Sequence, residues 1–339
     1  MAKSKKLKAA LIGFGGMGHF HSTCYAKQKN LELVAICDQD PESFKKTEEE
    51  INIGASGKTD LSKIKQCYSY EELIKTVEFD VLDICLPCHL HAEYAIRAMK
   101  DSYHVICEKP MARHGKDAEK MIQTSRKTGK KLMIAQCLRF MPSYQFMKEA
   151  YDNGTYGKLL RLDMRRCGSL PGQAWYRNPA QSGGALLDLH LHDTDYINYL
   201  LGGAPASVQT FGIARDTGGI DDLMTNYEYP DGPVVNSEGS WCKGTWHCST
   251  IGVFEKATVE IYGTNTVKVF RLDVKGCEEI KFKKSESNPY FNEIAYFAEC
   301  ILKNQDPVRC MPESTLTSIR IAEAEEKSAR ARGKKVALA

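Results

Sequence analysis

The run GFGGMG at positions 13–18 follows a short apolar stretch and opens a helical pattern, and it constrains the fold more than any other feature. The glycines at positions 13, 15 and 18 give the spacing G-x-G-x-x-G, which allows a tight turn and a close approach to the backbone. A helix that begins at such a turn offers unpaired N–H groups and the positive end of its dipole to a pyrophosphate. The sequence therefore predicts a dinucleotide site formed by Gly13, Phe14, Gly15, Gly16, Met17 and Gly18.

Residues 8–110 alternate near-continuous apolar strands, such as LELVAICD and VLDICL, with helical patterns. This alternation indicates a parallel sheet that is covered by helices on both faces. A further unit from Lys116 through the strand KLMIAQ completes the sheet near Gln136. We expect an α/β domain with a Rossmann, doubly wound parallel sheet over residues 1–138.

The pattern of predicted elements changes after Leu138, where strands become more frequent than helices. Alternation within ATVEIY places Ala257, Val259 and Ile261 on one face, as in a sheet with only one buried face. The segment from about 312 to 332 is predicted to be a helix that packs back onto the body. Residues 139–339 are therefore predicted to form an α+β domain for substrate binding and oligomerisation.

Composition excludes several classes of partner. The 46 basic and 43 acidic residues leave a net charge of only +3, so neither a nucleic-acid partner nor a membrane partner is indicated. No apolar run approaches the roughly 18 residues that span a membrane, and the basic start of the chain lacks a signal-peptide core. The 13 cysteines are odd in number and scattered through apolar segments. We expect a cytoplasmic protein that binds small molecules.

One segment imitates a haem or metal site. Cys85, Cys88 and His89 match the C-x-x-C-H pattern of covalent haem attachment, and His91 adds another metal-like ligand. The segment follows the buried strand VLDICL directly, and the export that haem attachment requires is not indicated. We therefore predict an ordinary strand end there and expect no metal.

Asp38 ends the second predicted strand, twenty residues after Gly18. A carboxylate at this place accepts hydrogen bonds from the ribose hydroxyls of NAD and repels the ribose phosphate of NADP. The next basic residue along the chain is Lys45, so no adjacent cation offsets the repulsion. The sequence favours NAD over NADP.

Candidate residues for chemistry lie in two other segments. Lys109 follows the strand HVICE, at the edge of the sheet where doubly wound folds bind ligands, although a solvated loop lysine is an alternative. In the helix predicted after Gly184, the residues Asp188, His192 and Asp195 have the spacing of one helical stripe. The alternative there is a core histidine paired with an aspartate. His190 lies on the far side of the same helix and is expected to be packed.

Together these motifs resemble those of the Gfo/Idh/MocA oxidoreductases, a family that includes inositol and sugar dehydrogenases. The resemblance rests on the glycine loop with Asp38, the EKP at 108–110 and the run GG-x-x-x-D-x-x-x-H-x-x-D at 183–195. The segments PCHLHAEYAIRAM, AQCLRFMPSYQ and AWYRNP extend it over nearly the whole chain. The resemblance implies a large open-faced, mostly antiparallel sheet in the second domain, through which chains form a homodimer or homotetramer.

The resemblance also implies roles for individual residues. Catalysis would fall to Lys109, Asp188 and His192. Cofactor contacts would extend to Pro87, His91, Glu108 and Lys109, and substrate contacts to Lys109, Arg139, Trp175, Arg177, Asp188, His192 and Asp195.

The function expected from these features is NAD-dependent transfer of a hydride to or from a secondary hydroxyl of a sugar, sugar derivative or cyclic polyol. Two alternatives stay open at this point. One is a redox-neutral, NAD-dependent glycosidase or lyase, because some relatives use a transient oxidation. The other is a non-catalytic NAD-binding regulator, although such proteins usually lack the lysine or the histidine that this chain keeps.

Overall fold

The structure, a computed structural model, describes residues 6–45, 59–263, 265–283 and 288–338. The chain divides into two compact units. The first unit comprises Met1–Ala112, Lys116–Ala135 and Tyr290–Pro312, and the second comprises Arg113–Gly115, Gln136–Pro289 and Glu313–Ala339. None of the helices in the described part of the chain is both long and apolar enough to cross a bilayer.

The strands of the described residues are β1 (Leu7–Ile12), β2 (Leu31–Cys37), β3 (Lys65–Cys67), β4 (Val81–Ile84), β5 (His104–Glu108), β6 (Leu132–Ala135), β7 (Leu159–Ser169), β8 (Ser207–Ile213), β9 (Asp222–Glu228), β10 (Val234–Ser240), β11 (Cys242–Phe254), β12 (Ala257–Tyr262), β13 (Thr266–Arg271), β14 (Glu278–Lys281) and β15 (Val336–Ala337). The α-helices are α1 (Gly16–Tyr25), α2 (Tyr70–Thr76), α3 (His91–Lys100), α4 (Gly115–Thr128), α5 (Pro142–Asp152), α6 (Pro179–Ser182), α7 (Leu191–Leu201), α8 (Pro289–Leu302) and α9 (Pro312–Arg330).

Six of these strands form the sheet of the first unit, in the order β3-β2-β1-β4-β5-β6, and every neighbouring pair is parallel. All residues of β4 and β6 are buried, as expected for strands that are covered on both faces. The strand order reverses between β1 and β4, and in such folds ligands bind outside the carboxyl ends of the strands at this switch point. The predicted Rossmann, doubly wound parallel sheet is confirmed, and the predicted domain bounds stay a prediction.

The other nine strands form the sheet of the second unit, in the order β14-β13-β12-β11-β7-β10-β9-β8-β15. Among the described strands of this second sheet, only β7 and β10 pair in parallel, so the sheet is mostly antiparallel, as predicted. Strand β12 has the predicted alternation, because Ala257, Val259 and Ile261 are buried and Tyr262 is exposed. One face of the sheet therefore belongs to the core of this unit.

Helix α9 occupies the segment for which the sequence predicts a closing helix. Its residues Leu316, Ile319 and Ala322 are buried, which is the stripe expected from helical periodicity. Near its end, the Ser328 hydroxyl accepts a hydrogen bond from the Thr210 N–H at 2.8 Å, so α9 is tied to strand β8 within the second unit.

Candidate functional site

The glycine loop joins β1 to α1, and two of its glycines are required by backbone packing. Gly13 has a φ of +91°, and a Cβ there would lie 2.7 Å from the Cys85 carbonyl oxygen at the end of β4. A Cβ on Gly18 would collide with the Gly13 carbonyl oxygen. Gly15 is different, because it is exposed and a Cβ there would meet nothing within 4 Å. The loop is therefore closely packed at Gly13 and Gly18 and open at Gly15. The open side suits the approach of a pyrophosphate.

The other residues of the loop hold or flank its backbone. Phe14 is buried, and its ring stacks on His19 with 3.8 Å between the ring centroids. Gly16 and Met17 are half-buried and form the first residues of α1. In the predicted dinucleotide loop, the Phe14 side chain is therefore buried, whereas the residues that begin α1 stay partly accessible.

Asp38 follows β2 directly and is half-buried. Its carboxylate accepts hydrogen bonds from the N–H of Phe14 at 2.6 Å and from the N–H of Asp40 at 2.9 Å. Each carboxylate oxygen has a second acceptor site, so these bonds leave capacity for ribose hydroxyls. Asp38 thus ties the end of β2 to the glycine loop.

Lys109 follows β5 and is half-buried. The preceding Glu108 is only 5% exposed, and its Oε2 accepts the Lys109 N–H at 3.0 Å. Pro110 lies on the other side of the lysine, and its carbonyl oxygen lies 2.7 Å from Nδ1 of His91. The backbone on both sides of Lys109 is therefore fixed by buried groups of the first unit.

His91 is 1% exposed, and its second ring nitrogen, Nε2, lies 2.7 Å from the Leu86 carbonyl oxygen. Burial lowers the pKa of this imidazole, although both carbonyl contacts oppose that change. The ring therefore links the turn after β4, which contains the half-buried Pro87, to the turn after β5. Cofactor contacts of Pro87 and His91 stay a prediction.

The side chains of the C-x-x-C-H segment, Cys85, Cys88 and His89, do not form one cluster of metal-ligating atoms. Cys88 is buried, His89 is exposed, and burial raises the pKa of the Cys85 thiol well above its usual value. Among the described residues, two clusters have the spacing of a metal site, and both contain His21. Cys85 belongs to one of them, but Cys88, His89 and His91 belong to neither.

In the second unit, the segment with the candidate proton-handling pair is not a regular α-helix. It begins with a π-helical turn, Leu186–His190, and continues as α7. Asp188 and His192 are half-buried, and Nδ1 of His192 lies 3.9 Å from the Cys137 sulfur. Both residues are thus partly accessible, and their action as a proton-handling pair stays a prediction.

The third member of the predicted stripe, Asp195, is 1% exposed and binds Arg139, which is also 1% exposed. The guanidinium donates to both carboxylate oxygens, from Nε at 2.8 Å and from Nη2 at 2.7 Å, and the Ser318 hydroxyl adds a bond of 2.8 Å. The structure therefore places two predicted substrate-binding residues together in a buried bidentate ion pair. Their contact with substrate stays a prediction.

Neighbouring residues on α7 are buried in a similar way. Asp193 pairs with Arg166 of β7, and the distance from Nη2 to Oδ1 is 2.8 Å. His190 is fully buried, as expected, and its Nε2 lies 3.0 Å from the Tyr227 hydroxyl and 3.3 Å from a carboxylate oxygen of Glu325. Of the aspartates and histidines on this segment, only Asp188 and His192 are partly exposed.

The remaining predicted substrate contacts lie on the loop after β7. Trp175 is half-buried and stacks on Tyr176 with 3.8 Å between the centroids, and Tyr176 in turn meets the edge of the buried Trp241. Arg177 is exposed. The aromatic stack fixes this part of the loop, whereas the guanidinium of Arg177 extends from it.

Sequence reasoning missed a buried group in the first unit. His21 of α1 is fully buried, with Nδ1 2.9 Å from Asp83 and Nε2 3.0 Å from Glu108, and Glu293 of α8 lies beside them. These residues come from four separate elements, so no local spacing in the sequence signals the cluster.

Comparison with known proteins supports the same family in both units. Residues 7–136 match the family model described as "Oxidoreductase family, NAD-binding Rossmann fold", and residues 144–267 match the GFO/IDH/MocA C-terminal domain. The D-glucoside 3-dehydrogenase of Escherichia coli is 32% identical over 204 residues, which cover 59% of this chain and 55% of that relative. The matched segment thus spans little more than half of that protein.

Two further proteins extend the comparison. The 2,7-anhydro-N-acetylneuraminate hydratase of Mediterraneibacter gnavus is 28% identical over 236 residues, which cover 67% of this chain and 59% of that relative. A crystal structure of the WlbA dehydrogenase from Bordetella pertussis, in complex with NADH and UDP-GlcNAcA, has a TM-score of 0.83. It is 21% identical, with 100% of this chain and 99% of that chain covered, so it shows a common fold.

Proposed function

Because the chain belongs to the Gfo/Idh/MocA family of oxidoreductases, whose first domain is an NAD-binding Rossmann fold, we propose that it is an NAD-dependent dehydrogenase. The proposed substrate is a sugar, a sugar derivative or a cyclic polyol with a secondary hydroxyl. One observation carries the proposal: the glycine loop after β1, Asp38 after β2 and Lys109 after β5 all lie at the carboxyl edge of one parallel sheet. That edge is where doubly wound folds bind ligands.

The residues present fit a dinucleotide. The open space at Gly15, at the start of α1, accommodates a pyrophosphate, and Asp38 has acceptor capacity for the adenosine ribose. The first basic residue after Asp38, Lys45, pairs with Glu42. We therefore propose NAD in preference to NADP, because a ribose phosphate would face the Asp38 carboxylate, and Lys45 is paired with a carboxylate of its own.

When bound, NAD supplies the acceptor for the hydride that leaves the substrate carbon. We propose that His192 takes the hydroxyl proton as general base and that Asp188 orients its imidazole. The Lys109 ammonium would donate a hydrogen bond to the same oxygen and stabilise it as negative charge develops. All three side chains are half-buried, so each is accessible to a substrate while partly shielded from water.

Relatives support the substrate class. The Escherichia coli relative acts on D-glucosides, and the Bordetella pertussis structure holds a nucleotide sugar. The test is to incubate purified protein and NAD with inositols, hexoses, glycosides and their keto forms while following nicotinamide absorbance. Turnover of at least one compound is expected, and failure with the whole panel in both directions would contradict the proposal.

The similarity to a hydratase favours one second candidate, a redox-neutral reaction in which an oxidised intermediate is reduced again. It predicts products without net accumulation of NADH. Analysis of the same mixtures by chromatography separates the two: a changed sugar without NADH indicates the redox-neutral reaction, and equal amounts of ketone and NADH indicate the dehydrogenase.

Replacement of the lysine tests its proposed role directly. Lys109→Ala should lower kcat by about 10² to 10³, the typical loss when one donor to a developing oxyanion is removed. Thermal stability should stay unchanged, since Lys109 is half-buried and not part of the core. The matched control is Lys100→Ala, an exposed lysine at the end of α3, which should keep full activity. If Lys109→Ala unfolds, its role is structural.

We also propose that the open face of the second sheet joins identical chains into a dimer or tetramer. Paired residues share a face, and one row across five neighbouring strands contains the exposed Phe211 and Met224 together with Glu238, Arg165 and Ser249. A second row on the same face contains Val234 at 65% exposure and Phe270 at 36%, and the row between the two contains Asn236 and Asp163. Large apolar side chains exposed on one face of a sheet are typical of protein interfaces. Light scattering should show an oligomer that Met224→Lys weakens.

The location we propose is the cytoplasm. All 13 cysteines are free thiols, which suits a reducing compartment. Fractionation of cells that produce the protein tests this.

A further inference from the structure

A buried cluster of ionisable side chains in the first unit includes Glu108, the residue that precedes Lys109. His21 of α1 is 0% exposed, and each of its ring nitrogens faces a carboxylate: Nδ1 lies 2.9 Å from Asp83 Oδ2, and Nε2 lies 3.0 Å from Glu108 Oε1. Both carboxylates are acceptors, so both contacts are hydrogen bonds only if the ring carries two protons. With both carboxyl groups ionised, the geometry requires an imidazolium that bridges β4 and β5.

The other oxygen of Glu108 connects this bridge to the lysine. Glu108 Oε2 accepts the backbone N–H of Lys109 at 3.0 Å. One oxygen of the Glu108 carboxylate thus binds the His21 ring, and the other binds the backbone N–H of Lys109. A continuous path of hydrogen bonds runs from Asp83 through His21 and Glu108 to Lys109.

Three more ionisable groups, those of Tyr25, Cys85 and Glu293, belong to the surroundings of the imidazole. The Tyr25 hydroxyl donates to Asp83 Oδ2 at 2.9 Å, and Cys85 lies in the same cluster as Asp83. Glu293 of α8 is fully buried, and neither of its carboxyl oxygens has a hydrogen-bond partner within the described part of the chain. One of them lies within 4.8 Å of both His21 and Glu108.

The charges of this cluster favour a fixed imidazolium. Burial by itself lowers the pKa of His21, but Cys85 and Asp83 together raise it well above its usual value of 6.5. Burial, followed by the charge of Glu108, raises the pKa of Glu293 well above 4.5. His21 is then charged and Glu293 neutral, so the Glu108 carboxylate has one cationic partner that determines its position.

We propose that His21 is a positioning residue for Lys109, acting through the Glu108 carboxylate that binds the Lys109 N–H. The inference rests on the proposed function, because it assigns His21 to the support of the proposed catalytic lysine. A small displacement of a group that binds the reacting oxygen costs up to about a hundredfold in rate. Loss of the bridge should therefore affect catalysis more than binding.

The primary variant is His21→Asn, which removes the imidazolium. We expect kcat to fall by about 10- to 100-fold, while KM for the sugar and Kd for NAD change less than twofold. Because this variant leaves two buried carboxylates unpaired and could fail to fold, Glu108→Gln is the second variant. It keeps an oxygen for the Lys109 N–H and places amide hydrogens opposite the His21 ring. The double variant should lose no more than the worse single one, since both break one path.

Two matched controls separate positioning from general packing. His104→Asn removes a histidine from the opposite end of the same strand, β5, where Nδ1 accepts the Lys131 N–H at 3.0 Å. It should lower stability and leave kcat unchanged. Glu293→Gln imitates the neutral carboxyl and should also keep kcat.

Hydrogen exchange gives a readout that does not depend on activity. The Lys109 amide should exchange faster in His21→Asn and Glu108→Gln than in the wild type, and at the wild-type rate in His104→Asn. If the wild type turns over no sugar but this acceleration is seen, the proposed function fails and the positioning link stands. If the wild type is active and neither kcat nor Lys109 exchange responds to either variant, the inference is wrong.

The charge state of the ring is tested by nitrogen NMR of histidine-labelled protein, with His21→Asn for assignment. Two protonated ring nitrogens are expected for His21 at neutral pH. A neutral ring would overturn the inference, as would elemental analysis that finds one divalent metal per chain in the wild type and none in Glu293→Gln, because a metal would then occupy the place of the proton.

Discussion

The two units use buried ionisable side chains in opposite ways. In the second unit, each buried guanidinium meets a single buried carboxylate, as Arg139 meets Asp195 and Arg166 meets Asp193. In the first unit, one buried imidazole, His21, lies among three carboxyl groups, those of Asp83, Glu108 and Glu293. In each arginine–aspartate pair, the two opposite charges neutralise each other. The carboxyl-rich cluster leaves Glu293 without a partner among the described residues and is connected to Lys109.

This difference indicates two kinds of role. A buried matched pair is costly to break and needs no ligand, so we assign the pairs of the second unit to stability. Beside them, Asp188 and His192 stay partly exposed and are available for chemistry. Variants can test this difference between the units. Some should lower the turnover rate and leave the free energy of unfolding unchanged, and others should do the reverse.

The largest effect on turnover is expected for the half-buried residues Asp188 and His192. His192→Ala and Asp188→Ala should each lower turnover by about 10² to 10⁴, the usual contribution of general-base catalysis, with the melting temperature unchanged. The double variant should be little worse than the worse single variant, because both residues act as one unit. Oxidation by the wild type should rise with pH, since a protonated imidazole cannot accept the hydroxyl proton.

His190→Ala is the matched control on the same segment. That histidine is fully buried against Tyr227 and Glu325, so its loss should lower stability and leave the rate of the folded protein nearly unchanged. If His192→Gln turned over at the wild-type rate with the same pH profile, the base would lie elsewhere, and Lys109 would be the first candidate.

A large effect on stability is expected at the matched pair. Arg139→Met should lower the free energy of unfolding by about 3–5 kcal/mol, because it leaves the Asp195 carboxylate buried and unpaired. Arg139→Met with Asp195→Leu should recover much of this loss, since an apolar pair of similar volume is often neutral. Denaturant unfolding of the three proteins measures both. A raised KM without loss of stability would instead support the predicted contact of Arg139 with substrate.

A smaller effect distinguishes the cluster of the first unit. Glu293 has a raised pKa in the folded protein, so folding takes up a proton, and this contribution to stability is lost as pH rises above about 4.3, the value in an unfolded chain. Glu293→Gln needs no proton. Its stability should therefore exceed that of the wild type by a margin that grows from pH 5 to pH 7, at no more than about 1.4 kcal/mol per pH unit. Melting curves with equal pH dependence for both proteins would contradict the neutral carboxyl.

The smallest effect concerns the cofactor. NAD should bind at least tenfold more tightly than NADP, a difference of about 1.4 kcal/mol, because Asp38 would face the ribose phosphate. Asp38→Ala should narrow the gap, and its loss of two backbone contacts should lower stability only slightly. Equal affinity of the wild type for both cofactors, measured by titration, would remove the basis for preferring NAD.

The sequence alone determined the features that depend on neighbours in the chain. The glycine loop, Asp38 and Lys109 each follow an apolar strand closely, and parallel strands place their carboxyl ends at one edge, so strand order and local spacing were enough to predict the Rossmann sheet and its ligand-binding edge. Alternation in β12 likewise predicted a sheet with one buried face.

Only the tertiary structure decided which polar residues are buried together. A regular helix would place Asp195 on one stripe with Asp188 and His192, but the π-helical turn interrupts the helix, and Arg139, fifty-six residues earlier in the chain, pairs with Asp195. The cluster around His21 draws on residues up to position 293, and no periodicity links them. Such contacts arise because packing brings distant elements together, and a buried charge is stable only where that packing supplies a partner.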